Sequence, residues 1–210
     1  MRRALMVLRL GALAAALAAA LTAVPVAAQQ SAGADTSTLP AGFGTLRQDD
    51  IAMYLQYNAL RVKVLPLDET VIRTLSPDSY RALHELRESK RAAVDSLVRR
   101  TGKPGASLWY VQFFNQEQGE ARFSPLELVI NSAGQDFRPL DLFGLTPGFG
   151  EQRLQQREMQ AGLYVFDPQV DVNQPLTVTY ETLRSDAWGV LVKKVDRERA
   201  LIRSRAASKP

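Results

Sequence analysis

Cysteine is absent from the 210-residue sequence, and histidine occurs once, at position 84. Without cysteine the chain forms no disulfide, carries out no thiol chemistry and cannot be attached as a bacterial lipoprotein through an N-terminal cysteine. A single imidazole cannot build a histidine metal site, which needs two or three nitrogen or sulfur ligands. We therefore expect His84 to be a structural or surface residue.

Motifs for nucleotide binding and nucleophilic catalysis are also missing, since the sequence contains no Walker loop, GxGxxG, CxxC or GxSxG element. The glycine-rich segment 144–150 contains Pro147 and lacks the Lys-Ser/Thr ending of a phosphate-binding loop, so it predicts a hairpin loop or a mobile flap. Phe143 and Phe149 belong to this region. Both are candidates for contacting a partner, although loop aromatics equally often tuck under their own loop.

Carboxylates are the remaining groups for catalysis. Asp49 and Asp50 are adjacent, and neighbours in a strand point to opposite faces, so we expect a cap or a turn there. Glu85 and Glu88 lie on one helix face, and a charged face in contact with solvent accounts for both. We predict no catalytic residue and no enzyme activity. Two carboxylates brought together by the fold, as in a polysaccharide hydrolase, are the alternative.

One loop is a candidate calcium site. Asp167, Asp171 and Asn173 place three oxygen side chains within seven residues, which suits Ca²⁺. The segment lacks the glycine and the final glutamate of an EF-hand, and the same residue types form ordinary turns. We predict no metal and no cofactor, with this loop as the exception to test.

Residues 1–28 have the three-part pattern of a secretory signal peptide. Arg2, Arg3 and Arg9 form a positive start, an apolar Ala/Leu run follows, and small residues precede a cleavage point after Ala28. We predict a periplasmic or secreted protein, with export by the general or the twin-arginine route left open. A retained membrane anchor is the alternative, because the apolar run is nearly long enough to span a bilayer.

The excess of basic over acidic residues comes mostly from two segments of the chain. Removing residues 1–28 leaves 23 basic against 22 acidic residues, a net charge of +1, which gives no case for a nucleic-acid partner. The stretch 193–209 carries seven basic residues against two acidic ones. A solvated helix face explains this excess, and contact with an acidic partner or a lipid surface is the alternative. The candidate contact residues are Lys193, Lys194, Arg197 and Arg203, and the lipid-surface alternative adds Arg205.

Period-two alternation in residues 51–64 and 176–180 predicts β-strands, and the run 108–114, apolar on both faces, predicts a central strand. Residues 29–45 are rich in small and polar types and predict a flexible leader, and a single domain is expected over 46–210. A hairpin is expected over 51–64, turning at 57–59. Further strands are expected at 108–114, 126–130, 137–143, 163–166 and 176–180, the third broken by Pro139 and therefore at a sheet edge.

Two helices are expected. Ser76, Pro77 and Asp78 form a helix start, and Gly102 with Pro104 forms a stop, so the first helix spans about Pro77–Arg100. The second is expected over about 186–205, capped by Ser185 or Asp186 and anchored by Trp188, with its later turns mostly facing solvent. A strand at residues 190–192 is the alternative there.

The elements between Leu108 and Tyr180 resemble the second half of the immunoglobulin-like domains found in bacterial secreted proteins and lipoproteins of unknown function. The resemblance is carried by Leu145-Thr146-Pro147-Gly148, by the strand Gly162–Phe166 followed by Asp167-Pro168, and by the strand from Pro175 to Tyr180. It implies a β-sandwich that binds or scaffolds rather than catalyses.

The sequence thus predicts a mainly β protein, an antiparallel immunoglobulin-like sandwich with an inserted helix and a C-terminal helix. The expected function is non-enzymatic binding or scaffolding of a protein partner in the cell envelope. A carboxylate-dependent polysaccharide hydrolase and a peripheral membrane protein are the alternatives. Oligomeric state and partner identity do not follow from the sequence.

Overall fold

The computed structural model describes residues 39–208, and the predicted signal peptide and residues 29–38 lie outside them. Three α-helices occur in this range: α1 (Glu69–Ile72), α2 (Pro77–Thr101) and α3 (Trp188–Ala207). The strands of the same range are β1 (Met53–Tyr57), β2 (Leu60–Pro66), β3 (Ser107–Asn115), β4 (Ala121–Arg122), β5 (Leu128–Ser132), β6 (Gln135–Phe137), β7 (Asp141–Gly144), β8 (Arg153–Leu154), β9 (Met159–Phe166), β10 (Leu176–Tyr180) and β11 (Leu183–Ser185).

The strands form an antiparallel β-sandwich, as predicted. One sheet has the order β1-β2-β3-β9-β7, the other has the order β11-β10-β5-β6, and β4 pairs with β8 in a short separate ribbon. Alternate side chains of each sheet are buried, such as Val111 and Phe113 in β3 and Val178 and Tyr180 in β10. Phe113 meets Tyr180 with ring centroids 5.6 Å apart, so the inner faces of the two sheets share one core.

The segment 137–143 is two edge strands rather than one. β6 lies at the edge of the four-stranded sheet and β7 at the edge of the five-stranded sheet. Pro139 lies between them. Proline has no backbone N–H to continue a ladder, so the chain leaves one sheet there and enters the other.

The inserted helix α2 begins at Pro77 and ends at Thr101, within one residue of the prediction. Gly102 closes it in a left-handed conformation with φ 63°, which glycine adopts at low cost. The predicted capping role of Ser76 is only partly met. Ser76 occupies the N-cap position, but its hydroxyl donates to the Ser79 hydroxyl instead of accepting from a backbone N–H.

The C-terminal segment is helical through residues 190–192, which excludes the strand alternative. Its N-cap is Ala187, so neither Ser185 nor Asp186 provides a side-chain cap, and Ser185 instead ends β11. Trp188 anchors the start of the helix, as expected. It is fully buried, and its indole N–H donates to the Val172 carbonyl at 2.9 Å.

The later turns of α3 are mostly exposed, as predicted, but Val195, Glu198, Arg199 and Ile202 are buried. The segment before β1 covers Glu198. Glu198 accepts hydrogen bonds from the backbone N–H and hydroxyl of Thr45, at 3.0 and 2.9 Å.

Residues 39–45 are packed, although the sequence assigns them to the flexible leader. Leu39 is 1% exposed, and its carbonyl accepts a hydrogen bond from Arg73 at 2.7 Å. Gly44 lies so close to α1 that a Cβ there would be 2.3 Å from the Thr74 carbonyl group. The packed chain therefore reaches back to Leu39 rather than starting near Leu46.

Candidate binding surfaces

The outer face of the five-stranded sheet carries a row of large side chains. Pairing places Arg61 of β2 opposite Phe114 of β3, and Phe114 opposite Met159 of β9. Tyr54 of β1 lies on the same outer face and packs against Arg61. We call Tyr54, Arg61, Phe114 and Met159 the sheet platform. Met159 is 42% exposed and the other three are half-buried, so the row is open to solvent.

Tyr54 is held in place by a charged pair. Its hydroxyl donates to Asp49 at 2.6 Å, and Lys63 donates to the same carboxylate oxygen at 2.6 Å. These two hydrogen bonds hold the pKa of Asp49 below its ordinary value. Burial and the neighbouring Asp49 carboxylate raise the pKa of Tyr54 to about 12. Tyr54 therefore stays a neutral donor at physiological pH, and its ring orientation is fixed.

Arg61 lies across the Tyr54 ring, with its guanidinium carbon 4.3 Å from the ring centroid. This is the geometry of a cation–π contact. Its Nε is buried and has no hydrogen-bond partner among residues 39–208. The platform borders a shallow depression of about 300 Å³, which Asp49, Lys63 and Gln112 also line. A group entering this depression would meet the cations Arg61 and Lys63 and the rings of Tyr54 and Phe114.

A second concavity lies between α2 and the start of β3. This helix groove has a volume of about 440 Å³. Glu69, Arg73, His84 and Arg87 line one part of it, and Val94, Val98, Pro104, Ala106 and Leu108 supply apolar lining. Glu88, Arg91 and Asp95 also border it.

The sequence analysis missed the pairing of His84 with Glu69. The His84 Nδ1 lies 2.7 Å from Glu69 Oε1, and the ring of Tyr80 stacks on His84 with centroids 5.2 Å apart. Arg73 donates to the other Glu69 oxygen at 2.9 Å. Burial raises the pKa of Glu69, but hydrogen bonds from Arg73 and His84 outweigh it, so the carboxyl group titrates below its ordinary range.

This cluster stabilises the junction of α1 and α2. A carboxylate bound by an arginine and an imidazole stays ionised at neutral pH, so Glu69 is not suited to donate a proton as a general acid. Spacing along α2 does place Tyr80 and His84 on one side of the helix. Nothing in the sequence indicates that Glu69, on another helix, meets them.

Phe149 is not a partner-contact residue, contrary to one of the two sequence alternatives. It is 4% exposed and sits in a slot made by two paired glycines, Gly144 and Gly162. A Cβ at Gly162 would lie 2.7 Å from the Phe149 ring, so only glycine leaves this space. The segment 144–150 is therefore fastened to the sheet and not a mobile flap. Phe143 is half-buried on β7 and packs against the core.

The four cationic candidates of α3 differ in their surroundings. Lys194 donates to Asp50 at 2.7 Å, and this bond and the Arg47 backbone N–H lower the pKa of Asp50. Lys193, Arg197 and Arg203 are exposed and form no ion pair with any of residues 39–208. Three of the four remain available to a partner.

The candidate calcium residues serve as turn formers. Asp167 pairs with Lys103 at 2.8 Å and accepts from the Gln169 N–H. Asp171 accepts from the N–H and the side-chain amide of Asn173. Within residues 39–208, no three His, Cys, Asp or Glu side chains gather as a metal-binding group.

Comparison of the chain with protein-family models, with curated proteins and with solved structures finds no match. The resemblance to immunoglobulin-like domains therefore stays a prediction beyond the β-sandwich itself. Across positions 39–208, no helix combines the length and the apolar character needed to cross a membrane.

Proposed function

We propose that this protein is an exported, non-enzymatic binding domain that engages a protein partner through the sheet platform. The observation that carries the proposal is the composition of the platform. Tyrosine, phenylalanine, methionine and arginine are enriched at protein interfaces, and tyrosine and arginine are frequent hot spots. Here Tyr54, Arg61, Phe114 and Met159 lie on one continuous sheet surface.

Rigidity of the platform supports the same proposal. Tyr54 is fixed by Asp49, and Arg61 is stacked on Tyr54, so both side chains have lost much of their rotamer freedom before any partner arrives. Binding then costs less conformational entropy than it would for freely moving side chains. The backbone beneath is a sheet with continuous pairing from β1 to β9. The signal-peptide pattern of residues 1–28 supports a location in the envelope or outside the cell.

A site-specific crosslinking experiment tests this function. A photoreactive phenylalanine analogue at Phe114 is expected to crosslink one defined envelope protein in the native cell. The same analogue at Arg138, an exposed residue between β6 and β7, is the control and is expected to give no such product.

Affinity measurements with that crosslinked protein complete the test. Arg61→Ala is expected to weaken binding by about thirtyfold, as truncation of a hot spot does. Arg138→Ala should leave affinity unchanged. Equal affinity of Arg61→Ala and the original protein, with both folded, would show that the platform is not the binding surface.

A polysaccharide hydrolase is the second candidate, and the observation in its favour is that three carboxylates, Glu69, Glu88 and Asp95, line the helix groove. It predicts release of reducing ends from envelope or extracellular polysaccharide. Glu88→Gln/Asp95→Asn should abolish that release while Arg61→Ala should not affect it. Unchanged release by Glu88→Gln/Asp95→Asn, or no release by the original protein, would eliminate this candidate.

A further inference from the structure

The outward face of α3 carries an aligned stripe of side chains. Val190, Lys193, Arg197 and Leu201 follow one another at spacings of three or four residues, which places them on one side of a helix. All four are exposed. Arg203 is exposed as well, but helical spacing places it about a third of a turn away from this stripe. We call Val190, Lys193, Arg197 and Leu201 the α3 face.

Most charges of α3 are paired. Asp196 pairs with Arg199 at 2.9 Å, and Glu198 pairs with Arg205 at 2.7 Å. Lys194 pairs with Asp50 outside the helix. The charges left over are all positive, because both acidic side chains of the helix already bind cations of the same helix. Two of them, Lys193 and Arg197, lie on the α3 face, and Arg203 lies on another side of the helix.

Two apolar side chains accompany these cations. Val190 is 72% exposed and Leu201 is 50% exposed. They are eleven residues apart, which is about 16 Å along a helix, and the cations Lys193 and Arg197 lie between them. An apolar residue at each end with cations between them suits a helix that lies flat on a lipid surface.

The opposite side of α3 is anchored, so this face is presented without unfolding. Trp188, Val195 and Ile202 are fully buried. Arg199 donates to the carbonyl and hydroxyl oxygens of Thr70 in α1, at 3.1 and 2.9 Å. The helix therefore has one fixed orientation relative to the domain, and the α3 face always points outward.

We propose that the α3 face docks on the surface of an anionic phospholipid membrane. Lys193 and Arg197 would contact lipid phosphates, and Val190 and Leu201 would enter the boundary between headgroups and acyl chains. Each cation near an anionic surface strengthens binding by about fivefold, so the two give weak, reversible and salt-sensitive attachment. This surface is separate from the sheet platform, and the proposal does not depend on the proposed protein partner.

Vesicle sedimentation with the purified protein lacking residues 1–28, as export would leave it, tests the proposal. The protein should sediment with mixed phosphatidylglycerol–phosphatidylcholine vesicles and not with pure phosphatidylcholine vesicles. High salt should release it. The double variant Lys193→Glu/Arg197→Glu should bind at least about tenfold more weakly, because two attractive charges become repulsive.

A matched control separates the α3 face from net charge. The variant Arg81→Glu/Arg91→Glu changes the net charge of the protein by the same amount on α2, where both arginines are 69% exposed. It should sediment with anionic vesicles nearly as well as the original protein. Val190→Ser/Leu201→Ser should weaken binding while leaving its salt dependence in place.

Three outcomes would overturn the proposal. The first is no sedimentation with anionic vesicles, the second is equal loss of binding in the two charge variants, and the third is capture of an acidic protein by the α3 face without any vesicle binding. Circular dichroism of every variant excludes loss of fold as the cause, since all the substituted side chains are exposed or line the surface.

Discussion

At the scale of single residues, two glycines on paired strands leave a space in the core that the Phe149 side chain fills. The ring of Phe149 fills the space above Gly144 and Gly162 and contacts the rings of Phe113 and Phe123, with centroids 6.3 and 5.6 Å away. A bulky side chain in such a slot stabilises the fold through packing, and it also orders the loop that carries it.

Truncation of Phe149 should be strongly destabilising. We expect Phe149→Ala to lower the free energy of unfolding by about 3–5 kcal/mol, since it leaves a cavity beside two glycines that cannot fill it. Urea denaturation followed by circular dichroism measures this. Phe143→Ala, at a half-buried position of the same region, is the control and should cost clearly less. Equal losses in the two variants would contradict the buried position of Phe149.

Removing the Tyr164 hydroxyl should not destabilise the protein. That hydroxyl is buried and has no hydrogen-bond partner among residues 39–208, and burial raises the pKa of the phenol. Tyr164→Phe should therefore keep or increase the free energy of unfolding. Tyr180→Phe is the matched control, because its hydroxyl accepts from the Ser124 N–H at 2.8 Å, and it should cost about 1 kcal/mol. A larger loss for Tyr164→Phe than for Tyr180→Phe would be inconsistent with this structure.

At the scale of elements, α3 is attached to the domain by polar contacts as well as by apolar packing. The Arg199 side chain is 5% exposed and binds Thr70 and Asp196. The Arg205 guanidinium bridges Glu198 and the Phe43 carbonyl, at 2.7 and 2.8 Å. A helix that looks highly charged and solvent-exposed in sequence thus uses half of its charges internally.

Arg199 and Arg197 should respond differently to truncation. Arg199→Ala removes charged hydrogen bonds to α1 and leaves the Thr70 carbonyl without that donor, so we expect a loss of roughly 1.5–3 kcal/mol in thermal or urea unfolding. Arg197→Ala, two residues away on the exposed side, should change stability by less than about 0.5 kcal/mol. Similar losses for both would indicate that Arg199 is not buried.

Carboxylates at the element junctions should make stability depend on pH. Burial raises the pKa of Glu198, but hydrogen bonds from Arg205 and Thr45 outweigh it and leave the pKa below its ordinary value. The pKa values of Glu69 and Asp50 are lowered as well. Since the unfolded chain binds protons more readily than the folded one, this stabilisation is complete above the unfolded pKa and is lost as pH falls through the folded pKa.

Urea unfolding measured from neutral pH down to acid should therefore show a falling free energy of unfolding below about pH 5. Glu198→Gln removes one of these titrating groups. It should be less stable at neutral pH, and its stability should depend less steeply on pH in the acid range. An unchanged slope in Glu198→Gln would show that Glu198 does not titrate abnormally.

At the scale of the whole molecule, the two tryptophans connect the parts of the domain. Trp109 lies in the five-stranded sheet and Trp188 begins α3, and their rings meet at 6.4 Å in an edge-to-face contact. Both are fully buried. One continuous core therefore includes both sheets and all three helices of the described residues.

Cooperative unfolding of the whole domain follows from this shared core. Tryptophan fluorescence and far-ultraviolet circular dichroism should give coincident urea transitions, because the indole contact and the strand pairing are lost together. A fluorescence transition that clearly precedes the loss of β structure would show that α3 detaches before the sandwich unfolds.

Local sequence signals predicted the individual elements well. The apolar run 108–114 identified β3, alternation in residues 176–180 identified β10, and the Ser-Pro-Asp start with the Gly102 stop identified α2. These signals succeed because each depends on a few neighbouring side chains and on backbone preferences. The sandwich class follows from the number and spacing of such strands.

Contacts between distant segments had no such signal. Thr45 and Glu198 are 153 residues apart in sequence, and Glu69 and His84 belong to different helices. Their pairing depends on how the helices pack on the sheets, which periodicity does not specify. The burial of Phe149 likewise depends on Gly144 and Gly162 being paired across β7 and β9.

The sequence by itself determined the absence of cysteine chemistry, the alternation that builds strands and the limits of the inserted helix, because these are properties of composition and short-range spacing. Only the tertiary structure decided which charges of α3 are neutralised and which face outward, and which aromatic residues form the sheet platform. The physical reason is that solvent exposure and ion pairing are set by long-range packing, in which a side chain meets partners far along the chain.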